Sequence, residues 1–435
     1  MRHSRETEEG IIDAPQAQAA ARAWRAYWYG IANGVLFNIG TAFIDPITVL
    51  PTLVATLTPS RIAVGLISAL GNSGWYLPQL LTAGYLQSKP LKRPLYVAGA
   101  IIRTASLLAL IPCVYLLGTR PAVALTAFFI IYAVYSVTGG LSGPAFLDIV
   151  AKTVPTGKLG SFFGHRMFWG GVGGIGAGVL VRTILGSPAL HFPDEYTLLF
   201  AIASVVFIPG WIAFGLVHEP PGRVPARAQP LLRFLLSAPE VVRLDRRFGL
   251  LLTCGLLSGA VGIAMPFYIV YARQVLKVPA GTVGTYIAVQ MAGSVVLVPL
   301  WAYLNDRRGP RTLLLAVNSL CLVATAIALG GALLPHAPAL GRLALMLVFF
   351  PLVAVGSGTF MGFTRYLFGI APEEQRTLYI GIYNTLFAFT TFLPLLGAVI
   401  LDAGSFRALF AVAVALAAAT VVVTVRLPRM APEPR

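Results

Sequence analysis

Long apolar stretches separated by short polar segments run through the whole chain. Each stretch is longer than the roughly 18 residues that read as a candidate membrane helix. The pattern predicts twelve spans, at residues 31–57, 61–87, 94–118, 121–147, 165–186, 197–217, 248–272, 281–304, 311–334, 341–369, 377–402 and 406–426. Proline or glycine interrupts most of them, which membrane helices tolerate. The predicted fold class is therefore an all-α integral membrane protein with 12 transmembrane helices.

Composition supports this interpretation, and charge sets the expected topology. Of the 435 residues, 57% are hydrophobic and 11% charged, a balance that excludes an ordinary soluble protein. The net charge of +16 does not indicate nucleic-acid binding, because the basic residues border apolar stretches instead of clustering. If the N-terminus is cytoplasmic, 24 of the 32 lysines and arginines fall on that side, and Arg103 lies within a span. Both termini are expected in the cytoplasm, in a multi-pass cell membrane protein of a bacterium.

The two halves of the chain repeat one another. Val154-Pro155 and Ala371-Pro372 are each followed, nine positions after the proline, by a glycine, and Asp45-Pro46 falls opposite Met265-Pro266 at nearly the same offset. The predicted organisation is a cytoplasmic tail (1–30), a six-helix bundle (31–217), a cytoplasmic linker (218–247), a second six-helix bundle (248–426) and a cytoplasmic tail (427–435). Within the linker, residues 231–247 fit either a surface helix on anionic headgroups or an unstructured loop.

One apolar stretch carries a single acid far from either end. Asp45 lies in the stretch 32–56, about 21 Å from Ile31 and about 18 Å from Leu57 at roughly 1.5 Å per helical residue, near the middle of a hydrocarbon layer about 30 Å thick. On a continuous helix, polar side chains at spacings of three or four share its face, namely Asn38, Thr41, Thr48 and Thr52. Such a face requires water, protein or a ligand, because lipid cannot satisfy it.

Two polar loops carry a recognisable motif. Between the eighth and ninth spans the chain reads Ala302-Tyr-Leu-Asn-Asp306-Arg307-Arg308-Gly309-Pro310-Arg311, and the loop from Gly84 to Arg93 has Ser88 where the other has its acid. These loops resemble the Gly-x-x-x-Asp-Arg-x-Gly-Arg-Arg signature of the major facilitator superfamily, although Ala302 replaces the leading glycine. The resemblance covers essentially the whole chain through span number, half length and loop position. It implies a bundle of two six-helix repeats around a central cavity.

In that superfamily the first, fourth, seventh and tenth spans line the cavity. The resemblance therefore implies substrate-binding residues on these spans: Asn38, Thr41, Asp45, Thr48, Tyr132, Tyr135, Ser258, Tyr268 and Phe360, with Phe128, Tyr271 and Phe363 as further candidates. An aromatic wall beside one acid would suit an amphiphilic or cationic organic solute. The alternative is that the aromatic residues serve packing.

The resemblance further implies that loop charges hold the cytoplasmic side shut in the outward-open state. The expected cytoplasmic gate is Lys89, Lys92, Arg93, Asp148, Asp306, Arg307, Arg311 and Arg365. Asp148 and Arg365 occupy equivalent repeat positions with opposite charge, so we expect Asp148 to pair with Lys89, Lys92 or Arg93, and Asp306 with Arg365. The alternative is topological positive charge with incidental acids.

The other intramembrane charge, Arg103, admits three roles. It could pair with Asp45, bind an anionic substrate group, or serve as a structural residue that reaches the interface. The glycine-rich fifth span, at 170–178, allows close helix approach but lacks the Gly-Pro pairing of the superfamily's antiporter signature.

The predicted function is secondary transport of a small organic solute by alternating access, with Asp45 as the proton-coupling residue. Burial in a low-dielectric medium favours the neutral acid, which makes proton uptake and release possible. Asp45 held by Arg103 or by helix-terminal donors is the structural alternative. A lipid or amphiphile flippase and a non-transporting membrane sensor stay open as other functions. The sequence shows no Walker-type loop, catalytic dyad or metal cluster, so no enzyme activity, cofactor or metal is expected. The expected partners are the substrate, protons and membrane lipids, and the expected state is a monomer.

Overall fold

The chain is almost entirely helical in its computed structural model. The structure describes residues 14–87, 89–155, 158–222, 243, 245–334, 337–372 and 376–429, so most of the predicted linker and both extreme termini lie outside the described residues. In the N-terminal half the helices are α1 (Ala14–Phe43), α2 (Val49–Leu57), α3 (Arg61–Gln87), α4 (Arg93–Leu116), α5 (Pro121–Thr153), α6 (Leu159–Leu185) and α7 (Asp194–Gly215).

The C-terminal half begins with a broken helix. It consists of α8 (Arg246–Ala260), a 3-10 turn (Val261–Ala264) and α9 (Met265–Gln274). The remaining helices are α10 (Thr282–Arg308), α11 (Pro310–Leu333), α12 (Pro338–Ile370), α13 (Arg376–Thr390), α14 (Leu393–Ala403) and α15 (Phe406–Arg426). Among the residues that the structure describes, ten helical segments, from α4 onward, are long and apolar enough to cross a membrane. The chain is thus a multi-span membrane protein, and the count of twelve spans stays a prediction.

Corresponding helices of the two halves have the same length. Helices α4 and α11 both have 24 residues, α5 and α12 both have 33, and α3 and α10 both have 27. Helices α5 and α12 also end alike, because Val154 and Ala371 are buried caps in extended conformation, each followed by a proline. Proline disfavours the helical conformation of the residue before it, which stops both helices at equivalent places.

The first predicted span is not one helix, and the assumption of a continuous helix through Asp45 was wrong. Helix α1 ends at Phe43 and α2 begins at Val49, so Asp45 and Pro46 lie in the break. Proline lacks the N–H that would continue the helix and crowds the preceding turn. The repeat-equivalent Met265-Pro266 likewise begins a helix, α9, after the break that follows α8.

The two halves meet along a seam of glycine between α6 and α10. A Cβ at Gly178 would lie 2.6 Å from Ala288 N, and one at Gly284 would lie 2.1 Å from Arg182 N, so neither position has room for a side chain. At the end of the bundle away from the termini, Arg61 on α3 pairs with Asp402 on α14 at 3.4 Å. We call this end, where residues 57–61, 186, 281 and 402 lie, the closed end.

Candidate functional site

Asp45 is buried at the break between α1 and α2, with 4% of its surface exposed. Its Oδ1 accepts hydrogen bonds from the backbone N–H groups of Ile47 (2.9 Å) and Thr48 (2.7 Å) and from the Thr48 hydroxyl (2.8 Å). The carboxylate therefore caps the turn that leads into α2, where backbone N–H groups lack helical partners. One oxygen of Asp45 is thus held by helix-terminal donors, which is the structural role that the sequence left open as the alternative to proton coupling.

The second oxygen of Asp45 faces the other half of the protein. Its Oδ2 accepts a hydrogen bond from the Gln290 side-chain Nε2 at 3.3 Å, and Gln290, on α10, is fully buried. Within the part of the chain that the structure describes, no lysine or arginine forms an ion pair with Asp45. The site is thus a buried carboxyl group with one saturated oxygen and one oxygen bridged to the opposite half.

The predicted polar companions of Asp45 mostly bond to their own backbone. Asn38 donates to Gly34 O (2.8 Å), Thr41 to Phe37 O (2.7 Å) and Thr52 to Thr48 O (2.6 Å). Asn38 and Thr41 are half-buried on α1, whereas Thr48 and Thr52 are buried. Among these four, Thr48 is the one with a hydrogen bond to Asp45, made through the turn and not through a helical face.

The aromatic stripe of α5 lies inside the N-terminal half. Phe128, Tyr132 and Tyr135 stack in sequence, with centroid distances of 6.2 Å and 5.9 Å, and Phe128 also packs edge-on against Phe200 of α7 at 5.9 Å. The Tyr132 hydroxyl lies close to Gly71 of α3, where a Cβ would be 2.9 Å away. Pro46 lies against the same glycine, so the stripe packs α5 against its neighbours and brings Tyr132 close to the turn that holds Asp45.

Arg103 binds aromatic rings instead of Asp45 in this structure. Its Nη2 donates to the Tyr135 hydroxyl at 2.9 Å, and its guanidinium carbon lies 4.5 Å from the Tyr135 ring centroid and 4.8 Å from that of Trp211. Cation–π contacts of this kind stabilise a desolvated guanidinium. Arg166 of α6 is buried in a similar way, over Phe146 at 4.7 Å. Both arginines thus connect helices within the N-terminal half.

The candidates in the C-terminal half are distributed over three environments. Ser258 lies 3.5 Å from Asn318 Oδ1, and Tyr268 packs on Phe410 at 5.2 Å, as does Tyr271 at 5.5 Å. Phe363 is buried and stacks on Tyr383 at 5.4 Å, whereas Phe360 is 70% exposed. The structure does not bring these side chains together with Asp45 into one cluster, and their role in substrate binding stays a prediction.

At the end that bears the termini, the C-terminal half contains the ion pair that we expected. Arg365 Nη1 lies 3.2 Å from Asp306 Oδ1 and also donates to Asn305 O at 2.5 Å. Arg311 donates to Val425 O at 2.7 Å, and Arg307 is exposed. The contact between Asp306 and Arg365 is therefore present, while its gating role is still a hypothesis.

The N-terminal half arranges its loop charges differently from the expected pairing. Asp148 pairs with Lys152, one turn later on α5, at 2.5 Å, and Lys152 pairs with Glu219 at 2.8 Å. Glu219 accepts hydrogen bonds from the backbone N–H groups of Lys92 (2.8 Å) and Arg93 (2.7 Å). Lys92 and Lys89 meet through the Lys92 ammonium and the Lys89 carbonyl. An acid after α7 therefore contacts the basic loop, in the place that we had assigned to Asp148.

Several solved structures of known proteins resemble this protein. Three solved structures share the fold: the nucleoside transporter NupG (TM-score 0.65, 13% identity, 94% of this chain and 100% of that chain), a POT family peptide transporter (0.66, 14%, 94% and 98%) and a bacterial homologue of the iron transporter ferroportin in its inward-facing state (0.65, 16%, 93% and 98%). The family model described as Major Facilitator Superfamily matches residues 250–435. The C-terminal part of the chain therefore matches this superfamily in sequence, and the whole chain shares the fold of these transporters.

The sequence match is confined to the C-terminal half, whereas the similarity to solved structures covers the fold of nearly the whole chain. No curated protein matches the chain in sequence.

Sequence reasoning missed two residues of these clusters, Gln290 and Glu219. Gln290 is an amide inside an apolar stretch, which indicates a buried polar contact. It lies on the eighth predicted span, however, and the resemblance places cavity residues on four other spans. Glu219 was taken as part of the linker because of its proline-rich neighbours. A buried amide or acid next to membrane helices needs a partner, and that rule would have selected both.

Proposed function

We propose that this protein is a major facilitator superfamily member and a secondary active transporter, which moves a small organic solute by alternating access with proton coupling through Asp45. The observation that carries the proposal is the position of the Asp45 carboxyl group. It is buried at the break of the first helix pair and hydrogen-bonded to α10 of the opposite half, and it has no cationic partner among the residues with described contacts. A buried acid in a membrane bundle is costly to keep unless it serves function.

The two oxygens of Asp45 have different roles, one structural and one in proton transfer. Oδ1 accepts three hydrogen bonds from the turn before α2 and so keeps the side chain in place in either protonation state. Oδ2 accepts one hydrogen bond, from Gln290, and is the oxygen at which we place the transferable proton. Loss of this proton adds a negative charge at the seam between the halves. A charge at this position changes the free-energy difference between the two access states.

Two layers of contacts support alternating access. At the closed end the halves are joined by Arg61 with Asp402 and by the close approach of Gly186 to Gly281. At the other end, the Asp306–Arg365 pair and the Glu219 cluster each lie within one half. We infer that the closed end faces the exterior and the termini face the cytoplasm, as the distribution of lysine and arginine predicts.

The substrate class follows from the chemistry of the site and not from the related folds. The structurally similar proteins carry names of nucleoside, peptide and iron transporters, which are too different from one another to select a cargo. One buried acid among apolar and aromatic side chains favours a neutral or cationic organic solute. We therefore begin the screen with cationic and neutral organic solutes.

Proteoliposomes with an imposed pH gradient test this function. We expect a solute identified by thermal-shift screening to accumulate in the gradient, and we expect Asp45→Asn to reduce that accumulation by tenfold or more while exchange of labelled for unlabelled solute continues. Asp194→Asn, which removes an exposed acid at the start of α7, is the matched control and is expected to behave as the wild-type protein.

The same liposomes separate the other functions. Accumulation that continues in the Asp45→Asn variant would show that the proton is coupled elsewhere. Movement of labelled lipid between leaflets, without solute flux, would identify a flippase. Ligand binding without any flux would identify a sensor.

A further inference from the structure

Gln290 has an unmatched hydrogen-bonding group beside Asp45. Its Nε2 donates to Asp45 Oδ2 at 3.3 Å, while its Oε1 is buried and has no hydrogen-bond partner. A buried polar atom without a partner costs roughly 1–3 kcal/mol, so native structures seldom keep one without a reason. The side chain is completely buried on α10, at the seam with the N-terminal half.

We propose that Gln290 is a positioning residue that joins the two halves through Asp45 and converts the protonation state of Asp45 into the strength of that junction. This inference rests on the proposed proton coupling. An amide presents a donor on one side and an acceptor on the other. Rotation of the amide therefore lets Gln290 bond to either form of the acid, through Nε2 to a carboxylate or through Oε1 to a carboxylic acid.

The two bonds differ in strength. With Asp45 ionised, the Nε2–H···Oδ2 bond is charge-assisted, and such bonds are roughly twice as strong as neutral ones. With Asp45 protonated, the Oδ2–H group donates to Oε1 in a neutral bond. Deprotonation therefore stabilises the contact between α10 and the start of α2, and protonation weakens it. The closed end is expected to open more readily when Asp45 carries a proton.

The other described side chains around Asp45 either belong to its own half or are held by other partners. From α3, the Ser68 hydroxyl donates to Pro46 O at 2.5 Å, and from α5, Tyr132 is the titratable side chain that interacts electrostatically with Asp45. Arg103 of α4 is held by Tyr135. The tyrosines of α9 pack on Phe410 of α15. Among the residues that the structure describes, Gln290 is the one from the opposite half that hydrogen-bonds to Asp45.

Distance measurements between spin labels across the closed end test the inference. The labels replace Ser60 and Gln274, which are exposed on opposite halves, in a background without the three native cysteines. In nanodiscs, the wild-type ratio of closed to open populations is expected to rise about 5- to 10-fold from pH 5 to pH 8. Gln290→Leu is expected to abolish this pH dependence. Ser294→Ala, a buried polar substitution one turn later on α10, is the control and is expected to keep it.

A second variant makes the test independent of folding losses. Gln290→Glu places two acids together, which can bridge only by sharing a proton, so the closed population is expected to rise at low pH instead of high pH. The inference is overturned if Gln290→Leu keeps the wild-type pH dependence, or if Gln290→Glu changes in the same direction as the wild-type protein. The proposed function fails in a different way, because Asp45→Asn would then keep both the pH-dependent distances and gradient-driven transport.

Discussion

The two halves of this protein carry opposite charges beside the starts of two corresponding helices, α4 and α11. In the N-terminal half, the start of α4 is capped by the buried carboxylate of Glu219, which follows α7 and also binds Lys152. In the C-terminal half, the start of α11 borders a cavity of about 310 Å³, whose lining includes Arg308, Arg311 and Arg429. Counted from the buried residues Val217 and Leu427 that follow α7 and α15, Arg429 occupies the place of Glu219.

The difference shows how one repeat can lose a motif residue without losing its fold. The C-terminal half keeps the motif acid, Asp306, and pairs it with Arg365 on α12. The N-terminal half has Ser88 instead, and its acids come from α5 and from the segment after α7. The acid therefore lies in the loop in the C-terminal half and outside the loop in the N-terminal half. In both halves the loop contacts a side chain of opposite charge.

Removal of the Glu219 side chain should have the largest effect on this comparison. Glu219→Ala leaves two backbone N–H groups without their acceptor and removes one of the two acids that pair with Lys152, and we expect the free energy of unfolding to fall by about 2–4 kcal/mol. Denaturation of the purified protein in mixed micelles measures the loss. Glu219→Gln, which keeps one acceptor oxygen, should lose less, and equal losses in both variants would contradict the capping role.

Acidification should reproduce part of the same loss. Burial alone disfavours the charged form of Glu219, but hydrogen bonds from Lys152 and from the Lys92 and Arg93 N–H groups outweigh it and hold the pKa of Glu219 below its usual value of 4.5. The stabilisation is thus fully present above that value and is lost as pH falls through the lowered pKa. The stability difference between wild-type protein and Glu219→Gln should shrink over this range.

Transfer of the acid to the other half should produce a smaller, opposite effect. Arg429→Glu places a carboxylate beside Arg308 and Arg311 at the start of α11, and we expect a gain in stability of about 0.5–1 kcal/mol. Thermal unfolding in detergent measures it. Arg429→Ala removes only the repulsion among the arginines, so a gain of equal size in that variant would show that the acid itself adds nothing.

Reversal of the exposed pair should change stability least and transport most clearly. Asp306 and Arg365 are exposed by 76% and 38% of their side chains, so each single substitution should cost less than about 1 kcal/mol. If the pair gates access, Asp306→Arg and Arg365→Asp should each reduce transport, and the double variant should restore it. Persistent loss in the double variant would count against pairing as the gate.

The sequence predicted the helices well and the site only in part. The lengths of the apolar stretches located most helix ends to within a few residues, and the repeat landmarks at Asp45-Pro46 and Met265-Pro266 both lie at helix breaks. The break itself was missed because apolar periodicity does not distinguish a continuous helix from two short ones. Asp45 was found because an acid in an apolar stretch is conspicuous. Its partner Gln290 was not, because no pattern within one segment indicates which residue of a distant helix lies opposite.

The glycine seam between α6 and α10 has a thermodynamic consequence for any relative movement of the two halves. Side chains that interdigitate lose rotamer freedom when two surfaces meet and regain it when they part, but glycine has no rotamers to lose. Contacts such as that of Gly178 with Ala288 and of Gly284 with Arg182 can therefore form and separate with little change in side-chain entropy. Under the proposed function, side-chain ordering at these contacts contributes little to the free-energy difference between the access states, and polar contacts such as that of Asp45 with Gln290 contribute more.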